Sequence, residues 1–343
     1  MPLEGGTRRT GLAIVVALVC ASAAACGDSS ESSAPNPNAV RTASPEKTFA
    51  PLVELAANER WRPASTAWFI DNSVLWFADG GPCKDRKVAV GRTLPEQRSK
   101  EPMQGVDWIY PVGLGAGQYA YYRNLHDKRC ELIGKRRIYA DQLSRPYDEG
   151  PRPKGLPAGG GFHLDLVDEV RGGPGSLGKT PVYVERANEG DGEVRLTYWM
   201  LFSMNAPPGQ PAETHEGDWE RVDVLLETDG PNRYVPRAIR LVAADGAARE
   251  LAWRTLERSD GKHPILTSER GSHTLAPAAA GARCGNCVQW QTWNTVTDAR
   301  KQRWYSFGGA WGAIGKTSAT TGPLGPHGEW RPESVANAAA NAG

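Results

Sequence analysis

The sequence has almost no excess of charge of either sign. Its 343 residues contain 40 lysines and arginines against 39 aspartates and glutamates, for a formal net charge of +1, and no long basic block is present. Because nucleic-acid binding requires clustered positive charge, we expect no nucleic-acid partner. The sequence also lacks an internal repeat of solenoid or propeller length and a Gly-x-Ser-x-Gly elbow that would provide a nucleophilic serine.

The apolar stretch near the N-terminus is too short to span a bilayer. It runs from Gly11 to Val19 behind a pair of arginines, a pattern that indicates an export signal. It leads to Ala23-Ala24-Ala25-Cys26, which resembles the lipobox of bacterial lipoproteins, with cleavage before Cys26 and diacylation of its thiol. The alternative is an ordinary secretory signal cleaved after Ala25. We expect lipidated Cys26 to anchor the chain to the outer face of the bacterial cell membrane.

These features divide the chain into four parts. Residues 1–25 are the predicted signal peptide, and residues 26–45, rich in Ser, Pro, Asn and Ala, are a predicted flexible tether. Residues 46–330 are expected to form one folded domain, with a loop-rich part at 91–180 and a core at 181–330. Residues 331–343, mostly Ala and Asn, are a predicted disordered tail.

Cysteine is scarce, with six in the whole chain. Cys20 lies in the signal and Cys26 is the lipidation site, which leaves an even number of cysteines outside the cytoplasm. Such a set predicts disulfides, with three possible pairings. We favour Cys83 with Cys130 and Cys284 with Cys287, although the Cys284–Cys287 pair could instead be a redox pair.

Glycine and proline are abundant, with 39 and 26 residues, which predicts many turns and few long helices. Asn188–Gly192 separates two β-type runs and indicates a hairpin. Many short strands joined by such turns predict an all-β fold, an antiparallel β-sandwich with long loops and a few short helices. Strands are expected at Val182 to Val184, Val194 to Phe202, Ala238 to Val242, Glu250 to Leu256, His263 to Thr267, Trp290 to Trp293 and Arg303 to Phe307.

A phosphate-loop pattern occurs at Gly173 to Thr180. Phosphate binding there requires a preceding strand and a following helix, whose first amides hold the phosphate. Pro181 and a β-type run follow instead, so we expect a loop and no nucleotide partner.

The segment His215-Glu216-Gly217-Asp218-Trp219-Glu220 carries four ionisable groups at the start of an apolar strand. Alternation places Asp218 and Glu220 on one face with Val222, Val224 and Leu226. Buried carboxylates require a cation or several donors, and His215 would add a nitrogen ligand. This predicts a site for calcium or magnesium. The alternative is a structural ion-pair cluster with Arg221 and Arg240 as partners.

With these residues in hand, the chain resembles the vacuolar protein sorting-associated protein 62 family. The similarity covers roughly residues 49–330, and its blocks appear in the family's order. The blocks are Phe49 to Leu55, Glu59 to Pro63, Leu196 to Trp199, His215 to Glu220, His263-Pro264, Gly271 to His273, Trp311-Gly312 and Gly322 to Pro326.

The same strand start is distantly similar to the necrosis- and ethylene-inducing peptide-like toxins, which carry a His-x-His-Asp-Trp-Glu signature. That resemblance implies a β-sandwich that holds a divalent cation and engages sphingolipid headgroups. It places His215, Asp218 and Glu220 on metal-site positions and Asn205 near an Asp ligand, while Gly217 replaces the second His. His273 is a further candidate ligand, which could return to the same rim.

Three functions follow as hypotheses. The leading one is a lipid-anchored binding protein, whose cation bridges to a lipid headgroup or glycan and whose many tryptophans provide stacking surface. A second is a metal-dependent hydrolase of phosphodiesters or esters, with Glu216 as a possible base. A third is an envelope scaffold without a metal. We expect binding rather than catalysis.

Overall fold

The computed structural model describes residues 36–77, 86–90, 120–126, 132–139, 162–243, 247–279, 281, 284–306, 310–313, 315 and 318–326. The predicted signal, the lipidated Cys26, the Cys83–Cys130 pair and the tail lie outside these residues, as does most of the loop-rich part. No helix in the described ranges has the length and apolar character needed to cross a bilayer.

The fold is mainly β, as the sequence predicts. Two short helices occur, α1 (Pro45–Thr48) and α2 (Thr66–Asp71), besides 3₁₀ turns. The strands are β1 (Val40–Arg41), β2 (Leu52–Leu55), β3 (Ser73–Phe77), β4 (Arg86–Val90), β5 (Ala120–His126), β6 (Leu132–Tyr139), β7 (Phe162–Leu166), β8 (Val182–Gly190), β9 (Glu193–Asn205), β10 (His215–Thr228), β11 (Arg233–Val242), β12 (Ala248–Ala252), β13 (Arg258–Ser259), β14 (His263–Ser268), β15 (Leu275–Pro277), β16 (Val288–Gln291), β17 (Val296–Asp298) and β18 (Ala310–Trp311).

The longest strands build a central sheet, ordered β1-β11-β10-β9-β8-β17, with β12 paired to β11. The second sheet, β13-β14-β2-β16 with β15 on β14, packs on one face of it. Between them lies the first core, to which β9 and β10 contribute alternate residues as the pattern predicts. These residues are Val194, Leu196, Tyr198, Met200, Phe202, Val222, Val224 and Leu226.

The other face of the central sheet is also covered. The third sheet, β18-β7-β3-β4, and α2 pack there on a second core. Large aromatic side chains fill this core, among them Trp199, Trp219, Trp304 and Trp311. Trp253 and Trp290 are buried in the first core. The expectation that the abundant tryptophans form a stacking surface is therefore wrong for these six, whose rings serve as packing.

Three strand pairs depart from the expected antiparallel arrangement. The pairs β2–β14, β8–β17 and β7–β18 are parallel, because each joins segments that are distant in sequence, and no hairpin fixes their direction. The predicted strand Arg303 to Phe307 is also wrong, since residues 303–306 form a 3₁₀ helix whose Trp304 is anchored in the second core. The predicted strand Glu250 to Leu256 ends at Ala252, where a 3₁₀ turn directs Trp253 into the first core.

Strand pairing begins before residue 46, the predicted start of the folded domain. Val40 and Arg41 pair with Tyr234 and Arg233 of β11, so the packed chain already includes residues that the sequence assigns to the tether.

The disulfide Cys284–Cys287 is confirmed, with an S–S distance of 2.04 Å. It closes the turn immediately before β16.

Glycines permit a close backbone crossing beneath the start of β10. Gly217 has a φ of 61°, and a Cβ on it would overlap the carbonyl oxygen of Trp311. Gly312 lies equally close to the carbonyl oxygen of Glu216, and Gly322 to the backbone of Gly312. The acidic strand start and the glycine-containing C-terminal segments are therefore packed against each other, backbone to backbone.

We predict that Gly217→Ala lowers the free energy of unfolding by about 3 kcal/mol or more, because strain at positive φ costs about 1–3 kcal/mol and overpacking a similar amount. Gly190→Ala is the matched control, since Gly190 has a φ of 95° but open space around its Cβ position. Urea unfolding of both variants separates the cost of the positive φ from the cost of the overlap with Trp311. Equal losses would show that the crossing adds no constraint.

Candidate functional site

The acidic strand start faces two different cores. Asp218 and Glu220 are cross-strand partners of Phe202 and Met200, which belong to the first core. A regular strand would turn Glu216 to that same side. Instead Glu216 contacts the backbone of Leu166 and Ala313, beside the second core. The left-handed conformation of Gly217 accounts for this reversal.

Both carboxylate oxygens of Glu216 accept hydrogen bonds from other parts of the fold. Its Oε2 accepts hydrogen bonds from the backbone N–H groups of Leu166 and Ala313, at 2.8 and 3.1 Å. Its Oε1 accepts two from Arg171, at 3.0 and 2.5 Å. Burial raises the pKa of this carboxyl, and the bonds from Leu166 and Arg171 oppose that shift. A carboxylate with both oxygens so engaged argues against the alternative role of Glu216 as a general base.

His273 joins two carboxylates in the interior. Its Nδ1 lies 2.7 Å from Oδ2 of Asp218, and its Nε2 lies 3.8 Å from Oε1 of Glu59. The ring is fully buried and stacks on Phe202, with centroids 3.9 Å apart and planes inclined by 12°. The imidazole is thus fixed in place by packing as well as by charge.

Burial alone would lower the pKa of His273, but the hydrogen bond and charge of Asp218, with those of Glu59, outweigh it and raise that pKa. The pKa of Glu59 moves the other way. Burial would raise it, yet His273 and the backbone N–H groups of Trp61 and Gly271 lower it. These shifts favour an imidazolium between two carboxylates.

Glu220 has no such partner among the residues that the structure describes. Burial and the neighbouring charge of Asp218 raise its pKa well above the usual range for a carboxyl, and the backbone hydrogen bond from Leu275 opposes this only in part. The protonated acid is therefore favoured. Among the described residues, the imidazole of His273 meets Asp218 and Glu59, and no cationic side chain meets Glu220.

His215 and Asn205 face each other across the ladder between β9 and β10. Nδ1 of His215 lies 2.8 Å from the carbonyl oxygen of Gly217, so Nδ1 carries the proton and Nε2 keeps a free electron pair. The side-chain amide of Asn205 donates to the carbonyl oxygen of Glu213 at 2.7 Å. No contact among the described residues joins this pair to Asp218 or Glu220.

Within the described ranges, no group of three or more His, Cys, Asp or Glu side chains is drawn together as a metal-binding cluster. The chemistry of the donor set nevertheless suits a hard cation, since two buried carboxylates share one strand face. Nδ1 of His215 lies 2.8 Å from the carbonyl oxygen of Gly217, so in the neutral ring Nε2 keeps an electron pair for a ligand. These groups fit a cation that replaces the proton of Glu220.

The arginines considered as partners bind other residues. Arg221 donates to both oxygens of Asp223, at 3.0 and 2.8 Å, and Arg240 binds Glu250 at 3.1 Å. The group that meets Asp218 is instead the imidazole of His273, through Nδ1 at 2.7 Å. Glu59 is the member of the site that the sequence analysis did not identify. It lies more than 150 residues before Asp218, and no local pattern marks it.

No family model matches the chain, and no curated protein matches it. Three solved structures are similar to parts of it. One, described as a toxin fold for microbial attack and plant defense, is 15% identical and has a TM-score of 0.27, over 37% of this chain and 54% of that chain. Necrosis and Ethylene inducing Protein 2, from the causal agent of cocoa's Witches Broom disease, is 19% identical with a TM-score of 0.26, over 44% and 59%. The non-toxic HaNLP3 protein is 14% identical with a TM-score of 0.29, over 47% and 67%.

The chain thus spans between 54% and 67% of the length of these three structures. They are proteins of the necrosis- and ethylene-inducing type or of a toxin fold. The chemistry of the site follows from its own residues.

We predict that His273→Gln, measured in EDTA, lowers the free energy of unfolding by about 3 kcal/mol at pH 6, because it leaves Asp218 buried without a cation. Since the folded-state pKa of His273 is raised, its stabilisation is complete below about pH 6.5 and is lost as pH rises through the folded value. Urea unfolding at several pH values should show the gap from the parent protein shrinking with rising pH.

His263→Gln is the control with the opposite slope. Burial lowers the pKa of His263, so its stabilisation is present above about pH 6.5 and is lost as pH falls. A gap for His273→Gln that does not change with pH would contradict an imidazolium at that position.

Proposed function

We propose that this is an exported, lipid-anchored envelope protein that captures calcium or magnesium at Asp218 and Glu220 and uses it to bind a lipid headgroup or a glycan. The observation that carries the proposal is the pair of buried carboxyls on one face of β10, of which Asp218 meets the imidazole of His273, whereas no cationic side chain among the described residues meets Glu220. A divalent cation would supply a positive countercharge for Glu220 and would displace the proton of that carboxyl.

The supporting residues have distinct parts in this proposal. Asp218 and Glu220 would supply the carboxylate oxygens. His273 is held in place by Phe202 and Asp218 and would orient the Asp218 carboxylate. His215 would approach from the rim through Nε2, because the carbonyl oxygen of Gly217 fixes its tautomer. Asn205 would supply a neutral oxygen from the adjacent strand.

A specific contact also favours a second candidate, an internal brace. His273 already meets Asp218 and Glu59 in one buried chain of charges, which could stabilise the fold without any metal. The brace leaves Glu220 as a buried neutral acid, and the cation proposal makes it a ligand. The two functions therefore differ in what happens at Glu220 when a cation is added.

We predict that calcium or magnesium raises the melting temperature of the mature chain carrying Cys26→Ser, because a ligand at 100-fold above its Kd stabilises by about 2.7 kcal/mol. Asp218→Asn and Glu220→Gln should abolish this shift. Differential scanning calorimetry with each cation and with EDTA measures it.

Asp223→Asn is the matched control for that experiment. Asp223 is a fully buried carboxylate of the same strand, but it binds Arg221 and Thr197. It should lose stability and keep the cation-induced shift. The brace is the correct function if neither cation shifts the parent protein and Asp218→Asn lowers the melting temperature equally in calcium and in EDTA.

The membrane anchor rests on the sequence, since Cys26 lies outside the described residues. We predict that the protein expressed in a bacterium fractionates with membranes and that Cys26→Ala releases it to the soluble fraction, because the diacylated thiol is its membrane contact. Mass spectrometry of the mature N-terminus should find a diacylglycerol on Cys26. An unmodified N-terminus at Cys26, from cleavage after Ala25, would contradict the anchor.

We further propose that the chain is related to the vacuolar protein sorting-associated protein 62 family. This proposal rests on the sequence blocks named above. Three of those blocks also lie against one another, since Gly217 crosses Trp311-Gly312 and Gly322 packs on Gly312.

A further inference from the structure

We propose that Arg60 and Arg270, on two turns that Glu59 ties together, bind the phosphate group of an anionic ligand beside the cation site. This deepens the proposed function and rests on it for the neighbouring cation. It assigns the ligand's chemical class, a phosphate-bearing anion, and it gives a binding role to two residues outside the acidic strand.

Glu59 holds the two turns in a fixed relation. Its Oε1 accepts the backbone N–H of Trp61 and its Oε2 accepts that of Gly271, both at 2.8 Å. The side chain is 4% exposed. The two amides are consequently within about 8 Å of each other, the reach of two hydrogen bonds through one carboxylate. Arg60 and Arg270 immediately precede these amides in sequence.

Further contacts position each turn. The carbonyl oxygen of Gly271 accepts the N–H of Ala206 at 2.7 Å, just past the end of β9. Arg62 accepts the N–H of Ser203 through its carbonyl oxygen, near the same strand end. The guanidinium of Arg60 lies 4.6 Å from the ring centroid of Trp61. Both turns are therefore set on the end of the central sheet rather than left to move independently.

The arginine charges on these turns are not neutralised within the described part of the chain. Arg60 and Arg270 are exposed, Arg62 is half-buried, and none of them has an ion pair with a described residue. Glu269 is the acidic neighbour on the second turn, and its carboxylate accepts a hydrogen bond from Ser272 at 3.0 Å. Two exposed arginines on turns whose backbones are tied together favour an anion that binds between them.

Because the two turns lie beside the proposed cation site, phosphate is the anion that they suit best. Glu59 is also the carboxylate that faces His273, and His273 binds Asp218. A cation at Asp218 and guanidinium groups on the neighbouring turns would approach one anion from two sides. Guanidinium groups match phosphate oxygens in pairs, and a hard divalent cation binds the same oxygens. A chain anchored at a membrane surface meets phosphate in lipid headgroups.

The test compares two double variants of the mature chain carrying Cys26→Ser. Arg60→Gln with Arg270→Gln should weaken binding to phosphatidylglycerol vesicles about thirtyfold, the loss expected when two cations leave an anionic surface. Arg249→Gln with Arg254→Gln removes two exposed arginines at the β12 edge and should leave binding unchanged. Vesicle sedimentation in calcium measures both, with phosphatidylcholine vesicles as the uncharged reference.

Equal weakening by the two double variants would overturn the proposal, since net charge alone would then explain binding. So would parent-protein binding to phosphatidylglycerol no stronger than to phosphatidylcholine. Inorganic phosphate should compete better than chloride at equal ionic strength, and equal competition would also overturn it. Saturable, Arg60-dependent binding of inorganic phosphate alone would assign a free phosphate, whereas Arg60-dependent binding to vesicles alone would assign a headgroup.

The cation-induced melting shift separates this inference from the proposed function. The arginine double variant should keep the shift, since Asp218 and Glu220 are untouched. A shift without arginine-dependent binding overturns the phosphate site alone. Arginine-dependent binding that persists in EDTA, in a protein that calcium does not stabilise, overturns the cation site and retains the phosphate site.

Discussion

The end of the central sheet that carries the candidate site depends on the contacts of the buried imidazole of His273. The imidazole meets Asp218 from β10 and Glu59 from the N-terminal loop, and Phe202 of β9 covers its ring. Isolated carboxylates in such a place are very costly. With the imidazolium present, strand, loop and turn hold one another, and the turn that carries His273 is positioned by the same charges.

One carboxyl is left over in this arrangement. Glu220 is beside Asp218, and its raised pKa follows from burial and from that neighbour's charge. A proton and a divalent cation are the two ways to neutralise it. The proposed function assigns the cation, because Asp218 and Glu220 are two buried carboxyls on one face of β10. His215 at the start of the same strand and the amide oxygen of Asn205 on the neighbouring strand would complete such a site.

Much of this was predictable from local pattern. Alternation along Val194 to Phe202 placed one face of β9 correctly, and the same rule placed Asp218 and Glu220 toward the first core. Local pattern could not predict that Gly217 turns Glu216 to the opposite side, because the cause is a crossing with Trp311, almost a hundred residues away. The partnership of Glu59 with His273 and the three parallel strand pairs were equally inaccessible, since each joins distant segments.

The tryptophans show the same limit from another side. Their number suggested a stacking surface, yet Trp199, Trp219, Trp304 and Trp311 fill the second core, because the central sheet is covered on both faces. Composition gives the number of tryptophans, but it does not show whether their side chains are buried between the sheets or exposed on the surface. The polar groups that reach solvent at this end include Arg60 and Arg270, which composition alone does not distinguish from other arginines.

The most direct measurement is anomalous diffraction from crystals of the mature protein grown in manganese, which stands in for magnesium or calcium. The account predicts an anomalous peak within bonding distance of carboxylate oxygens of both Asp218 and Glu220. A map with no peak there at saturating manganese, and with the imidazole of His273 as the sole cationic partner of these acids, would contradict it.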